Sequence, residues 1–393
     1  MSNDASSNKK TDPGVPQAPK ATNGQSAEHA ADLAYERRLM WALQNPVVSA
    51  ALRQFIDPQE VLRLGMSFWS SRVVLTAVDQ GVFTRLSGKS LTAEELIGMF
   101  SWHPRAATVF LDALVAMKLL KRDASERYSN AAQAELFLNR SRPSYVGGLM
   151  ELSSRRLYKL WDSLGDLLAT GAPAAVEEQG ENEFFSTLYQ DPEELERFLS
   201  GMTGICTGEA ILIASRFPWK KFRTFLDIGG AQGALSVRVA LTHPHITGGS
   251  LDLAAVQPIY EKYVASFGLA DRLKFIPGDM NVGPFPAADV ITMGHLHHGY
   301  GEDKRRELIG KAFDALPDGG ALVVYDAMID AKRKNMVGLL SSLNIMLETR
   351  DGFEAPLERV KAWLTDAGFT DVKSRHLVGP TSMVYGFKAG RMR

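Results

Sequence analysis

Asp227 lies in a short apolar run, Thr224-Phe225-Leu226-Asp227-Ile228, that leads straight into Gly229-Gly230-Ala231-Gln232-Gly233. Glycines between a strand and a helix permit positive φ and let the backbone approach a ligand with no Cβ in the way. They stand here at the carboxyl edge, where open α/β sheets bind ligands. A dinucleotide fingerprint reads G-x-G-x-x-G and seats a pyrophosphate on the helix N-terminus. From Gly229 this chain has Ala231 and Ala234 at the second and third fingerprint glycines, which disfavours NAD. A carboxylate at Asp227 would repel a pyrophosphate and suits a ligand bearing an ammonium group. Asp252, in Ser250-Leu251-Asp252-Leu253, follows the loop by about 20 residues, where a carboxylate accepts hydrogen bonds from ribose hydroxyls. Gly278-Asp279-Met280 follows a third strand; Asp279 can accept from an adenine amino group while Met280 packs on the base. Aspartate at a strand end is also an ordinary turn or cap residue. Amino-acid end, ribose and adenine taken in chain order describe S-adenosylmethionine (SAM).

A second cluster is Gly294-His295-Leu296-His297-His298-Gly299-Tyr300. Alternate histidines on a strand share one face, and imidazole suits Zn, Cu, Fe and Ni. A metal site needs three or four converging ligands; none is forced here, and no metal is expected. The other chemistry open to an imidazole is proton removal. A phenol with a pKa of about 10 is mostly neutral at pH 7, so a nearby His with a pKa of about 6.5 assists its ionisation. His295 is expected to be a pocket or cofactor neighbour.

Residues from about 191 onward have the grammar needed to place these groups. Strands end at Ile228, Leu253, Ile276, Met293 and Tyr325, and helices are expected at Ala234–Leu241, Val256–Phe267 and Lys304–Leu316. Alternating strands and helices imply a mostly parallel, doubly wound α/β sheet. A closing strand pair is expected around Asp371–Leu377 and Met383–Lys388. From 31 to about 190 the pattern is helical. Glu60 to Val82 forms an apolar-rich stretch, Thr92 and Glu95 form a capping box, and Val109, Phe110, Ala113, Leu114 and Met117 mark one helix face. With Leu120–Arg122 and Arg127–Ser129 as a small wing, this is a winged-helix arrangement. Its would-be recognition helix is mostly apolar, which favours a packing or dimerisation scaffold over a DNA-binding regulator. Residues 1–30, rich in Ser, Asn, Pro, Ala and Lys, cannot offset their ordering entropy and are expected to be a disordered tail.

The whole composition narrows the function classes further. The 393 residues carry 44 Lys+Arg against 45 Asp+Glu, a net charge of −1, so nothing here tracks a phosphate backbone and nucleic acid is not an expected partner. The single cysteine, Cys206, cannot form an intramolecular disulfide, which fits a reducing cytoplasm. No run approaches the roughly 18 uninterrupted apolar residues of a membrane helix, and the polar first residues give no expectation of a secretory signal.

On these motifs the chain resembles the class I SAM-dependent O-methyltransferases acting on small molecules, the caffeic acid, acetylserotonin and antibiotic-pathway type. The resemblance covers roughly residues 60–390 through LDIGGAQG (226–233), LDL (251–253), PGDM (277–280), GHLHHGYGEDK (294–304), LPDGGALVVYDAMID (316–330), LNIMLETRDGFE (343–354) and WLTDAGF (363–369). Leu160–Leu164 and Asn182–Phe185 fit the family's linker region. The resemblance implies a dimerisation half at 31–190 that makes a homodimer, a SAM domain at 191–393, and methyl transfer to a small aromatic or polyketide-like acceptor. It implies cofactor contacts at Asp227, Gly229, Gly230, Gly233, Asp252, Leu253, Asp279 and Met280. Family members read Gly-His-Val-Leu-His-Asp-Trp after the fourth strand, the second His being the proposed base, flanked by two acids. Anchored on Gly294-His295 and on Glu302-Asp303-Lys304, this chain is one residue shorter, so Leu296-His297 matches the Leu-His pair and His298 replaces the Asp. His297 is then the expected base, with His298 the competing position, and Asp326 and Glu354 are the expected acids. Trp161, Phe184, Phe198, Met202 and Leu343–Leu347 are candidates for the acceptor pocket. Carbon or nitrogen methylation, and non-methylating use of the same site, remain open on this reading.

Overall fold

The computed structural model describes residues 58–142, 144–172 and 188–390, with scattered positions between 34 and 46. The expected tail at 1–30 and the linker residues Asn182–Phe185, Phe184 among them, lie outside the described residues. Two compact units result, Met1–Ser71 and Arg72–Arg393. The helical part from residue 72 therefore shares a unit with the α/β part.

In the first unit, α1 (Pro58–Gly65) presents Val61, Leu62 and Leu64 on its exposed surface. The stretch expected to run from Glu60 to Val82 is divided: a turn at Met66 separates α1 from α2 (Ser67–Asp79), and Gly81 turns the chain at φ 70°. In the second unit the capping box forms as expected. Thr92 Oγ1 accepts from Glu95 N at 3.3 Å, Glu95 Oε2 accepts from Thr92 N at 2.7 Å, and α3 (Ala93–Phe100) follows. The next helix, α4 (Pro104–Ala116), buries Ala107, Leu111 and Leu114, whereas Val109, expected on the buried face, is 70% exposed. At about 100° per residue, Val109 stands some 200° round the axis from both Ala107 and Leu111. The wing pairs β1 (Leu120–Arg122) with β2 (Tyr128–Asn130) antiparallel. Ala77, Val78, Phe83, Leu96, Leu111, Leu114 and Tyr128 share one buried core.

A short helix, α5 (Gly147–Leu152), then packs on the long α6 (Pro192–Arg216). The contact is glycine on glycine: a Cβ at Gly148 would lie 2.3 Å from Gly201 Cα, and one at Gly204 would lie 2.1 Å from the Tyr145 carbonyl oxygen. Helix α6 is the one helix among the described residues with the length and composition to cross a membrane. Its apolar stretch includes a buried Glu209, and it buries Leu195, Leu199, Ala210, Ile213 and Ala214, mostly against α7 (Ala234–Thr242) and the sheet.

The sheet is built from β3 (Thr224–Ile228), β4 (Thr247–Asp252), β5 (Leu273–Pro277), β6 (Val290–Gly294), β7 (Ala321–Ala327), β8 (Phe369–His376) and β9 (Thr381–Lys388) in the order β5-β4-β3-β6-β7-β9-β8. The first five strands are parallel; β9 runs antiparallel between β7 and β8. The helices α8 (Gln257–Ser266), α9 (Glu302–Ala315), α10 (Met336–Glu348) and α11 (Leu357–Asp366) complete the domain. Phe225, Val323 and Tyr325 enter one core, and Leu226, Ile228, Leu322 and Val324 enter the other. Burial on both faces explains why these strands read as continuous apolar runs.

Candidate active site

The strand order reverses between β3 and β6, and a cleft of about 1090 Å³ opens at the carboxyl ends of these strands. Single drug-sized ligands occupy pockets of roughly 300–1,000 Å³, so this cleft has room for two small molecules. Asp227, Gly229, Gly230, Asp252, Leu253, Asp279 and Met280 all line it. Of the expected cofactor residues, Gly233 stands apart. It caps α7 at φ 94°, where a Cβ would meet the Tyr260 ring at 2.8 Å, so its glycine serves the helix start.

The loop is held by the aspartates beneath it. Asp252 Oδ2 accepts from Ala231 N at 2.9 Å and its Oδ1 from Leu253 N at 2.8 Å. Burial nevertheless pushes its carboxyl above the usual range. Ala231 adopts φ 50°, a left-handed conformation uncommon outside glycine, at the position where a dinucleotide loop would have its second glycine. Asp227 is buried, accepts from Thr292 Oγ1 at 2.6 Å, and has its pKa pushed up to about 7 by burial. A Cβ at Gly230 would lie 2.8 Å from Asp227 Oδ2 and 2.0 Å from Ser250 Oγ. The Asp227 carboxylate therefore underlies the loop as well as reaching the cleft wall.

The cleft is also lined by Phe198, Met202, Cys206, His295, His298, Tyr325 and Ile345. Two expected pocket elements differ. Trp161 is not on the cleft wall; its Nε1 donates to Asn344 Oδ1 at 3.0 Å. Within Leu343–Leu347 it is Ile345 that lines the cleft, and Leu347 is buried.

The histidines divide into three environments. His295 has φ 49°, and its Nε2 lies 2.6 Å from Glu209 Oε2. Burial works against its charged form, yet Cys206 and Glu209 hold its pKa well above the ordinary value. His298 Nδ1 lies 3.1 Å from Asp326 Oδ1 and 3.2 Å from Glu354 Oε1. Burial again opposes its charge, but the two carboxylates prevail and push its pKa up to about 10. His297 is 3% exposed and turned inward, with Nε2 3.1 Å from Met293 Sδ. Burial lowers its pKa to about 4.

The two expected acids thus flank His298, while His297, the expected base, lines a small cavity behind it and not the cleft. The cause is the three-residue 3₁₀ turn His297–Gly299, which sets successive side chains about 120° apart and so aims these two rings in different directions. A signal for this was present in the sequence. Counted without a gap, Gly-His-Val-Leu-His-Asp-Trp runs from 294 to 300, and its second His falls on His298. Arg305 clamps the segment: its guanidinium donates to the Tyr300 and Phe353 carbonyls at 2.7 and 2.6 Å and lies 4.0 Å from the Phe353 ring centroid. Glu209, which reasoning from sequence missed, sits three residues after Cys206 on α6 and faces the site across it. Cys206, Glu209 and His295, and separately His295, His298 and Asp326, are close enough to share a cation; their carboxylate–imidazole contacts are already direct.

Comparison with known proteins agrees with this architecture. Residues 62–140 match the O-methyltransferase dimerisation domain and residues 161–370 the O-methyltransferase domain. The tetracenomycin polyketide synthesis 8-O-methyl transferase of Streptomyces glaucescens is 38% identical over 84% of this chain and 97% of its own length. The N,N-dimethyltransferase OxyT of Streptomyces rimosus is 34% identical over 82% of this chain and 94% of its own. The structure of human N-acetylserotonin methyltransferase in complex with SAM superposes with a TM-score of 0.77 at 22% identity, over 85% of this chain and 99% of that one. With a domain match over more than half its length, and with relatives above 30% identity along nearly all of theirs, the chain belongs to the O-methyltransferase family and is a SAM-dependent methyltransferase.

Proposed function

We propose that this chain methylates a hydroxyl oxygen of an aromatic, polyketide-like small molecule, with His298 as the general base and Asp326 and Glu354 as its supports. The observation that carries this reading is that His298 lies on the wall of the cleft that also contains the glycine loop, with two carboxylates paired to it from behind. The acceptor oxygen attacks the sulfonium methyl carbon, the C–S bond breaks, and neutral S-adenosylhomocysteine leaves. Because the leaving group is already in place on SAM, the protein's main work is alignment and removal of the hydroxyl proton. With Nδ1 held by the carboxylates, Nε2 receives that proton. The apolar residues Phe198, Met202 and Ile345 suit a planar acceptor, and the relatives named for a tetracenomycin and a 3-hydroxy-5-methyl-1-naphthoate support the aromatic class. The test is formation of S-adenosylhomocysteine with hydroxynaphthoates and with matched aminonaphthoates. Turnover with the amines alone would overturn oxygen as the target and favour the nitrogen chemistry for which OxyT is named.

Asp227, Gly229, Gly230, Asp252, Leu253, Asp279 and Met280 are assigned to SAM, with Gly233 kept as a support of the loop. Asp252→Ala is expected to weaken SAM binding by about 10- to 100-fold, since it removes charge-assisted hydrogen bonds worth about 1.5–3 kcal/mol. Calorimetry giving an unchanged Kd would remove Asp252 from the site.

The chain is also proposed to act as a homodimer, with dimerisation carried by the region up to about residue 190 and SAM chemistry by the region after it. Leu62, Trp69 and Val109, at 53%, 63% and 70% exposed, lie in the segment that matches the dimerisation domain. Such apolar surface is costly to leave in water. Light scattering is expected to give twice the 43.1 kDa chain mass; a monomer at micromolar concentration would count against it.

A further inference from the structure

Behind His298, on the side away from the cleft, is a cavity of about 10 Å³ lined by His297, His298, Arg305, Asp326 and Glu354 together with Val324, Met328 and Trp363. Its volume is on the order of what one water requires. Two buried polar atoms of its lining, His297 Nδ1 and Glu354 Oε2, have no hydrogen-bond partner in the protein. Their residues are 3% and 1% exposed. Asp326 Oδ1, ion-paired with His298, has lone pairs to spare on the same wall. Buried polar atoms left unmatched cost about 1–3 kcal/mol each, and an ordered water with two to four polar partners is the usual remedy.

We propose that His297 and Glu354 hold one ordered water in this cavity, beside Asp326 and His298, making His297 a positioning residue for the base rather than the base itself. His297 is suited to this because its ring is neutral: Nε2–H points at Met293 Sδ, 3.1 Å away, so Nδ1 is left as an acceptor. The water donates one hydrogen to His297 Nδ1 and the other to Glu354 Oε2. Glu354 Oε1 is then free to accept from Ser341 Oγ at 2.7 Å and to face His298 Nδ1. Both oxygens of the carboxylate are thereby fixed, and its charge is retained beside the imidazole. Besides the water, the charged groups facing His297 are Asp326, Arg305 and His298.

The test compares the full-length protein with His297→Leu and His297→Gln. A high-resolution crystal structure of the unaltered protein is expected to show one water peak within hydrogen-bonding distance of His297 Nδ1 and Glu354 Oε2. His297→Leu should lose it and His297→Gln should keep a polar contact to it. Nitrogen NMR of labelled histidine is expected to show His297 as the neutral tautomer protonated at Nε2. With a hydroxynaphthoate acceptor, His297→Leu should lower kcat about tenfold with unchanged KM for SAM, and His297→Gln should restore most of it. The rising limb of the His297→Leu pH profile should move to lower pH, because an unsolvated Glu354 takes up a proton and ceases to support the His298 imidazolium. A cavity without the peak, or a His297→Leu enzyme with normal kcat and pH profile, would overturn the proposal. The activity comparison rests on His298 as the base; the diffraction and tautomer results do not. A water peak found beside an active His298→Ala enzyme would therefore support the water site while removing the base.

Discussion

His298→Ala is expected to lower kcat by roughly 10²–10⁴, the usual contribution of a positioned general base, with SAM affinity by calorimetry unchanged. The separation of effects follows from the roles proposed above: His298, backed by Asp326 and Glu354, faces the acceptor, whereas the glycine loop and Asp252 are assigned to SAM. His297→Ala should cost far less, since that ring faces Met293 and the interior. Rescue supplies a second criterion. Raising the pH should partly restore His298→Ala with a phenolic acceptor, because the solvent then supplies phenolate. Near-normal turnover by His298→Ala at neutral pH would mean that the acceptor needs no base.

The second large effect concerns pH in the unaltered enzyme. His298, with its pKa pushed up to about 10, is an imidazolium at neutral pH in the ligand-free protein. Its match to a phenol's pKa of about 10 makes proton exchange between the two nearly isoenergetic. The productive complex has one proton fewer than the neutral-pH mixture of imidazolium and phenol, so kcat/KM is expected to rise as pH rises from 7 toward 9. One missing proton sets the slope at up to about tenfold per unit. For stability the signs are these. The raised pKa of His298 contributes stability below about pH 6.5, its unfolded value, and that contribution is lost as pH rises through about 10. Buried His297, with a folded pKa lowered to about 4, contributes above about pH 6.5 and loses its contribution as pH falls through 4. A pH–rate profile that is flat from 7 to 9 with a phenolic acceptor would refute the paired-carboxylate account of the base.

Much of the α/β half is legible in its residues because strands buried on both faces leave a simple trace. Thr224–Ile228 has the bounds expected of it, and Gly268 turns the chain at φ 68° after α8 as its type suggests. The capping box at Thr92 is equally local, since four residues contain the whole motif. Less legible are features decided by rotation. Val109 has the chemistry of a core residue and stands on the outer side of α4; only a count of degrees round the helix separates it from Leu111. Choosing between His297 and His298 required knowing which side of a tight turn each occupies. An alignment with a gap obscured what the ungapped one would have indicated. Glu209 was invisible for a different reason: it is 86 positions from His295 in sequence, and only the packing of α6 against the strand ends brings the two together.

The glycine seam between α5 and α6 carries a consequence for how such enzymes diversify. With Gly148 against Gly201 and Gly204 against the Tyr145 carbonyl, the two backbones touch with no side chain between them. A larger residue on one side cannot be absorbed by trimming the other, which has nothing left to remove. Gly148, Gly201 and Gly204 are therefore expected to change together or not at all. New acceptor preferences are expected to come from cleft-lining neighbours outside this seam, such as Phe198 and Cys206, which can vary without parting the helices. Recombination between relatives is tolerated where the crossover leaves these glycines in one parent's hands, and a junction near residue 190 separates them.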